Sequence, residues 1–220
     1  GGNGNITSIV HGNERTTYVY DGPNQLIRVN DSASNTTTIY TYDQGGNIIS
    51  KIEYNYTSGR LPSNTRNTYT YSYDSEWKAL LVSYNGEAIT YDEIGNPLSY
   101  CGYDMTWNGR QLHNMYNAEK NLTFTYDENG MRVGKDAVST VGGNKSRLDK
   151  TTYTYAGSQL VSEMRRNVNG IVAAAMQYSY DTDGTMVSVK YNGTEYYYLR
   201  NGQNDVVGII DRSGTTVVEY

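Results

Sequence analysis

The sequence predicts an all-β protein: repeated antiparallel β-hairpins laid side by side into a long, twisted, spiralling sheet. Three observations carry this expectation. Large aromatic residues alternate with small polar ones in short runs that end in Asp, with Gly three residues further on. Between such runs stand Asn-Gly pairs, the strongest short-range hairpin signal. The chain has 24 Tyr against a single Phe at a hydrophobic fraction of 37%, so most of its rings carry a hydroxyl that can meet water or a partner while the ring packs. A thin sheet wetted on at least one face fits these proportions, whereas a deep oily core would draw on Phe and Leu.

The unit is clearest in Tyr40-Thr41-Tyr42-Asp43-Gln44-Gly45-Gly46-Asn47-Ile48-Ile49. Side chains alternate faces along a strand, so Tyr40 and Tyr42 share one. The Asp43 carboxylate can accept hydrogen bonds from the turn backbone, and Gly46 can adopt the positive φ that such a turn needs. Ile48 and Ile49 begin the return strand. Taking the second aromatic as a marker, the unit recurs at Tyr20, Tyr42, Tyr73, Tyr91, Trp107, Tyr126, Tyr155 and Tyr180. Two residues earlier stand Tyr18, Tyr40, Tyr71, Ile89, Met105, Phe124, Tyr153 and Tyr178, all large and apolar or aromatic. One residue later come Asp21, Asp43, Asp74, Asp92, Asn108, Asp127, Ala156 and Asp181, and Ala156 alone lacks an acceptor. Gly46, Gly95, Gly130 and Gly184 close the turns. Marker spacing runs from 16 residues (91 to 107) to 31 (42 to 73), so the variation falls in the connections and one repeat domain over residues 1–220 is expected.

Tyr-x-Tyr-Asp-x-x-Gly-Asn resembles the YD repeat of RHS-type proteins. Longer stretches share the likeness: Ser83 through Pro97, then Thr106-Trp107-Asn108-Gly109-Arg110-Gln111-Leu112, then Tyr196-Tyr197-Tyr198-Leu199 followed by Asp205 through Asp211. The last resembles the segment leading into the RHS-associated core. The resemblance implies a β-shell wall that encloses a C-terminal toxin or effector of a secreted or cell-surface protein. It also implies that the partners are the remaining repeats of the shell and the enclosed toxin. Family members can carry a self-cleaving aspartate centre beyond the associated core, further along than the present chain.

In chain order, Ile6, Ile9 and Val10 lead through Asn13 to the strand Thr16–Tyr20 and the turn Asp21-Gly22-Pro23-Asn24, where Asn24 replaces Gly. Asn visits the left-handed region more readily than other side-chain-bearing residues. Residues 30–36 read as a polar loop, and Thr57–Asn67, with Pro62, as a second. At the Tyr73 unit, Trp77 occupies the Gly place, which predicts a wider loop or a register change with Trp77 folded onto neighbouring rings. From Leu80 to Met115 the turns Asn85-Gly86, Cys101-Gly102 and Asn108-Gly109 predict a compact, rigid middle of strands about four to six residues long. Lys135–Lys150 reads as a mobile loop. Ala173-Ala174-Ala175-Met176 favours helix by propensity, but strand patterns on both sides make it a strand. Asn192-Gly193 closes another hairpin. Tyr220 would open a further unit, which predicts a polypeptide cut from something longer.

Chemistry finds little foothold. The formal charge of −5 and pI near 5.1 come without a basic run, which argues against a nucleic-acid patch or membrane anchor. No apolar stretch of membrane-spanning length or export signal occurs, so no membrane insertion is expected. Cys101 has no intrachain partner. His11 and His113 are the only histidines, and neither belongs to a catalytic motif. Asp181-x-Asp183-Gly184 and Asp127-Glu128-Asn129-Gly130 imitate calcium loops without the closing Glu, Gly1–Asn5 imitates a calcium nonapeptide with Asn5 where Asp is wanted, and Gly142–Ser146 imitates the end of a phosphate loop but lacks Lys directly after the second Gly. The expectation is no cofactor, no metal and no enzymatic activity. An alternative function is glycan or cell-wall binding through exposed Tyr rows, with Glu195-Tyr196-Tyr197-Tyr198 as the candidate. Open sheet edges predict edge-to-edge self-association.

Overall fold

The computed structural model describes residues 2–141 and 146–219. The phosphate-loop imitation from Gly142 to Lys145, Gly1 and the final Tyr220 therefore lie outside the described residues. The chain divides into two compact units, Gly1–Gly102 and Tyr103–Tyr220, and it is all-β, with antiparallel sheets that do not close into a barrel.

In the first unit β1 (Ser8–His11), β2 (Glu14–Tyr20), β3 (Leu26–Asp31), β4 (Thr36–Tyr42), β5 (Ile48–Asn55), β6 (Asn67–Tyr73), β7 (Leu81–Tyr84) and β8 (Glu87–Ala88) form one eight-stranded sheet in sequence order. The short β9 (Ser99–Tyr100) follows. The second unit continues with β10 (Tyr103–Asn108), β11 (Gln111–Tyr116), β12 (Lys120–Tyr126), β13 (Arg132–Ser139), β14 (Ser146–Ala156) and β15 (Gln159–Asn167). It ends with β16 (Val172–Tyr180), β17 (Met186–Tyr191), β18 (Thr194–Arg200), β19 (Val206–Ile210) and β20 (Thr216–Glu219), each strand lying beside its sequence neighbours. Ala173 to Met176 lie in β16, as the flanking pattern predicts.

A β-bulge sits at most markers, because the ladder slips by one residue beside Tyr20, Tyr42, Tyr73, Trp107, Tyr126, Tyr155 and Tyr180. In the Tyr42 hairpin, Tyr42 faces Ile48 while Thr41 faces Ser50, leaving Ile49 as the extra residue. Each bulge bends its strand and adds local twist. The core is thin: Ile89, Phe124, Ala137, Ala174 and Val189 are the buried hydrophobic residues, and Thr37 and Thr151 the most completely buried side chains.

Several expectations are corrected. The polar loop at 30–36 shrinks to residues 32–35, because Asn30 is buried in β3, donating to Thr17 Oγ1 (2.9 Å) and accepting from Arg28 Nε (2.7 Å). The mobile loop at Lys135–Lys150 is mostly ladder: Lys135 faces Thr151 and Ser139 faces Ser146. Asp136 there meets Arg147 and Lys150 at 3.4 and 3.7 Å, so the charges that suggested a loop pair across strands. In the middle segment β7, β10 and β11 have the expected four to six residues, but β8 and β9 have two each and Tyr91–Pro97 is an isolated bridge. Three closely spaced turns leave little strand between them. Trp77 does not fold onto rings. It is 62% exposed and lies over the turn at Gly95, with the tip of its ring 4.0 Å from where a Cβ on that glycine would stand.

Candidate functional site: a row of ring-and-turn units

The Asp turns form as the sequence predicts. Asp43 Oδ1 accepts from the Gly45 and Asn47 amides at 2.8 and 2.9 Å, and Oδ2 from the Asn47 side chain at 2.8 Å. Asp92 repeats this with Ile94 and Asn96, Asp127 with Asn129 and Met131, and Asp181 with Asp183 and Thr185. Asp21 accepts from Gln25, and Asp74, without its glycine, still accepts from Glu76 and Trp77. At Asp43 and Asp74 these donors favour the ionised form. The Asn47 side chain first, then the Asn47 amide, holds the Asp43 carboxyl below the usual carboxylate range, and the Trp77 and Glu76 amides do the same for Asp74. Gly46, Gly95, Gly130 and Gly184 take φ of 79 to 88°, and Asn24 stands in at 69°.

A second kind of turn explains the two irregular units. Gly109 and Gly157 have φ of 58 and 61° and open two-residue turns closed by the Asn108–Gln111 and Ala156–Gln159 pairs. Neither turn needs a side-chain acceptor, so Ala156 costs nothing there and Asn108 is a strand residue. Asn85-Gly86 differs again, with both residues at positive φ (51 and 82°) between paired Tyr84 and Glu87, the arrangement that suits Asn-Gly. Cys101-Gly102 shows the same positive pair, 50 and 73°.

The marker tyrosines do more than pack. Each hydroxyl reaches back to the hairpin before it and donates to a backbone carbonyl. The bonds are Tyr20 to Ile6 (3.0 Å), Tyr42 to Leu26 (2.7 Å), Tyr73 to Ile48 (3.0 Å) and Tyr91 to Leu81 (2.5 Å). In the second unit they are Tyr126 to Leu112 (3.0 Å), Tyr155 to Arg132 (3.1 Å) and Tyr180 to Leu160 (2.7 Å). The acceptor belongs to the residue that faces the previous marker across its own hairpin, as Leu26 faces Tyr20 and Ile48 faces Tyr42. The tyrosines thus stitch successive hairpins in a line.

The first aromatics share that face. Tyr18, Tyr40, Tyr71, Tyr153 and Tyr178 are half-buried and Phe124 is buried, while the residues between the rings, such as Val19, Thr41, Ser72, Thr125 and Ser179, are exposed. Burial raises the phenol pKa of Tyr18, Tyr42, Tyr71, Tyr73, Tyr91, Tyr153 and Tyr180. For Tyr178, burial and then the nearby Glu163 push it up to about 12. Arg132 stands over two rings, 5.5 Å from the centroid of Phe124 and 5.3 Å from that of Tyr153, a favourable placement for a cation. Towards the end of the second unit the ring face is concave, with about 390 Å³ between Met176, Tyr178, Val189, Tyr196, Tyr198 and Ile209.

Sequence reasoning missed three parts of the arrangement. Arg200 occupies a marker place, two residues after Tyr198 and before Asn201, and its Nη2 donates to the Met186 carbonyl at 2.9 Å where a tyrosine hydroxyl would. Asn167, Asn201 and Asp211 cap further turns, accepting from Ile171, Asp205 and Thr215; their spacing to Gly170, Asn204 and Gly214 was visible, but a search keyed to aromatics passes over them. Gln25, Gln111 and Gln159 each bring Nε2 within 3.2 to 3.4 Å of where a Cβ would stand on Gly46, Gly130 and Gly184. The glutamine after one turn therefore covers the glycine of the next. Among the described residues no group of three or more His, Cys, Asp or Glu could hold a metal ion.

No family model matches the chain. It is 29% identical over 216 residues to the tRNA3(Ser)-specific nuclease WapA of Bacillus spizizenii, and 27% over the same length to the tRNA nuclease WapA of Bacillus subtilis. Each alignment takes in 91% of this chain and 8% of the relative, so the chain spans under a tenth of these proteins' length. A solved TcdB2-TccC3 structure superposes over 94% of this chain and 14% of its own at 13% identity and TM-score 0.42, and the Photorhabdus luminescens Tc holotoxin pore at 0.39. Superpositions this loose add nothing to the assignment. The relatives are named as nucleases, which overturns the expectation of no enzymatic activity drawn from the lack of a motif. Absence of a recognisable catalytic sequence in a stretch this short says nothing of the protein to which it aligns. What the alignments establish is a likeness between nearly all of this chain and a small part of proteins named as tRNA nucleases.

Proposed function

We propose that the chain is a wall segment of an RHS-type toxin, a stretch of YD-repeat β-shell leading towards the associated core of a secreted or cell-surface protein. Its partners are then the neighbouring repeats and an enclosed C-terminal toxin, and a tRNA-directed nuclease activity would belong to the protein as a whole. The observation that carries this reading is the line of hydroxyl bonds from each marker tyrosine to the preceding hairpin. Such a bond is satisfied only where hairpins follow one another in a sheet, so the repeat is suited to extension and containment. Strands β1 and β20, each at an edge of its own sheet, would pair with further repeats in the intact protein and with other copies when the chain is isolated.

Limited proteolysis of the intact protein containing this chain tests the proposal. Its C-terminal portion should resist cleavage until the wall is loosened by Gly46→Val together with Tyr42→Phe, and then become sensitive. Cleavage of that portion as fast as in its isolated form would count against enclosure. Saccharide binding by the chain that is lost on Tyr197→Ala would instead favour glycan recognition.

A further inference from the structure

The ring–ring contacts of the first unit converge on one residue. The Tyr84 ring lies 5.3 Å from Tyr71 at an interplanar angle of 47°, 6.0 Å from Tyr100 at 44°, and 6.4 Å from Tyr69 in a near-parallel stack of 9°. Tyr71 and Tyr84 are direct cross-strand partners on β6 and β7, where opposed Cβ atoms are about 4.5–5.5 Å apart. None of the stitching hydroxyl bonds involves these four rings, so their hydroxyls take no part in joining one hairpin to the next. The cluster sits at the end of the β6–β7 ladder away from the Asp74–Leu80 loop, beside the Asn85-Gly86 turn. There the ladder is held by the pairs Tyr71–Tyr84, Ser72–Ser83 and Tyr73–Leu81.

We propose that Tyr84 is a site of oxidative cross-linking, forming a dityrosine with Tyr71 that fastens β6 to β7. The co-reactant is a one-electron oxidant, such as a haem peroxidase working with hydrogen peroxide. Each phenol loses one electron and its hydroxyl proton to give a phenoxyl radical with spin on the ring carbons beside the oxygen. The two radicals join at those carbons, one C–C bond forms, and each ring then loses its displaced C–H hydrogen as a proton to the hydroxyl oxygen by tautomerisation. The product has two hydrogens fewer than the starting pair, and the peroxide is reduced to water. Opposed strands hold the two rings side by side, so coupling needs only side-chain motion. Tyr69 and Tyr100, in contact with the same ring, can pass oxidation inward to Tyr84, and Tyr100 is the exposed member at 40%.

The test is to treat the chain with peroxidase and hydrogen peroxide at a dilution that keeps it monomeric, then measure dityrosine fluorescence and map cross-linked peptides by mass spectrometry. The expected result is a monomer lighter by two hydrogens with the link between the Tyr84 and Tyr71 peptides. Tyr84→Phe, which keeps the ring and hence the packing, should lower the intramolecular signal several-fold, whereas Tyr191→Phe, on β17 of the other unit, should leave it unchanged. Links spread over other tyrosines, a signal undiminished in Tyr84→Phe, or links only between chains would overturn the proposal.

Discussion

Replacing Tyr42 by Phe removes one oxygen and keeps the ring. That oxygen donates across 2.7 Å to the carbonyl of Leu26 in the preceding hairpin, whereas the structure shows no comparable bond for Tyr40, two residues earlier on the same face. A protein hydrogen bond contributes about 0.5–1.5 kcal/mol net. The Tyr42 bond is part-buried, so water can partly replace the lost donor at the carbonyl and about 1 kcal/mol is the expected loss. With a urea dependence of roughly 1–3 kcal/mol per molar, the midpoint should fall by about 0.3–1 M. Tyr40→Phe should cost less than about 0.5 kcal/mol, the range of ordinary surface changes. Urea denaturation followed by tyrosine fluorescence reads both variants against the parent chain. If Tyr42→Phe is no more costly than Tyr40→Phe, the hydroxyls do not hold the hairpins together and the stitching account fails.

Four further outcomes are expected. Gly46→Val should destabilise by about 1 kcal/mol or more, since a branched residue is forced to positive φ, while Gly45→Ala, which has no such φ and brings its Cβ to 3.3 Å from Asp43 Oδ1, should cost less in thermal melts. A Cβ at Gly134 would overlap Thr125 Oγ1 across the β12–β13 ladder, so Gly134→Ala should cost about 1–3 kcal/mol, and adding Thr125→Ala should recover most of it; strict additivity of the two would contradict the contact. Tyr178, with its folded pKa raised from 10.0 to about 12, contributes stability in full below pH 10 that is lost as pH rises through 12; Tyr178→Phe should flatten the alkaline limb of the stability profile. Asp43, held below its unfolded value of 3.8, contributes above that pH and loses the contribution as pH falls through its folded pKa. Asp43→Asn should therefore keep the turn and weaken the acid dependence in melts between pH 2 and 5.

The fold was legible because each local signal concerned neighbours in sequence. Asp43 with Gly46, and Asn85 with Gly86, specify turns from a few residues, and Tyr-x-Tyr specifies a strand face, so hairpin existence and order followed. What reading residue by residue could not supply was the relation between hairpins. Nothing about Tyr42 alone indicates that its hydroxyl ends on Leu26, or that Gln25 covers Gly46, because both depend on register between strands far apart in sequence. Arg200 was hidden for the same reason: its equivalence to a marker tyrosine lies in where its side chain ends and not in its chemistry. The charged stretch around Asp136 misled in the opposite direction, since ion pairs across a ladder and solvated loop charges look alike along a single chain. For function, the ring-bearing repeats carried the resemblance to RHS-type proteins, while the link to proteins named as nucleases came only from comparison.

Imaging the intact protein by electron cryomicroscopy tests the central claim most directly. The account predicts that residues of this chain lie in a continuous β-wall, with β1 and β20 paired to further hairpins and density for the C-terminal portion on the inner side. A module standing apart with β1 and β20 both unpaired, or a C-terminal portion lying outside the sheet, would contradict it.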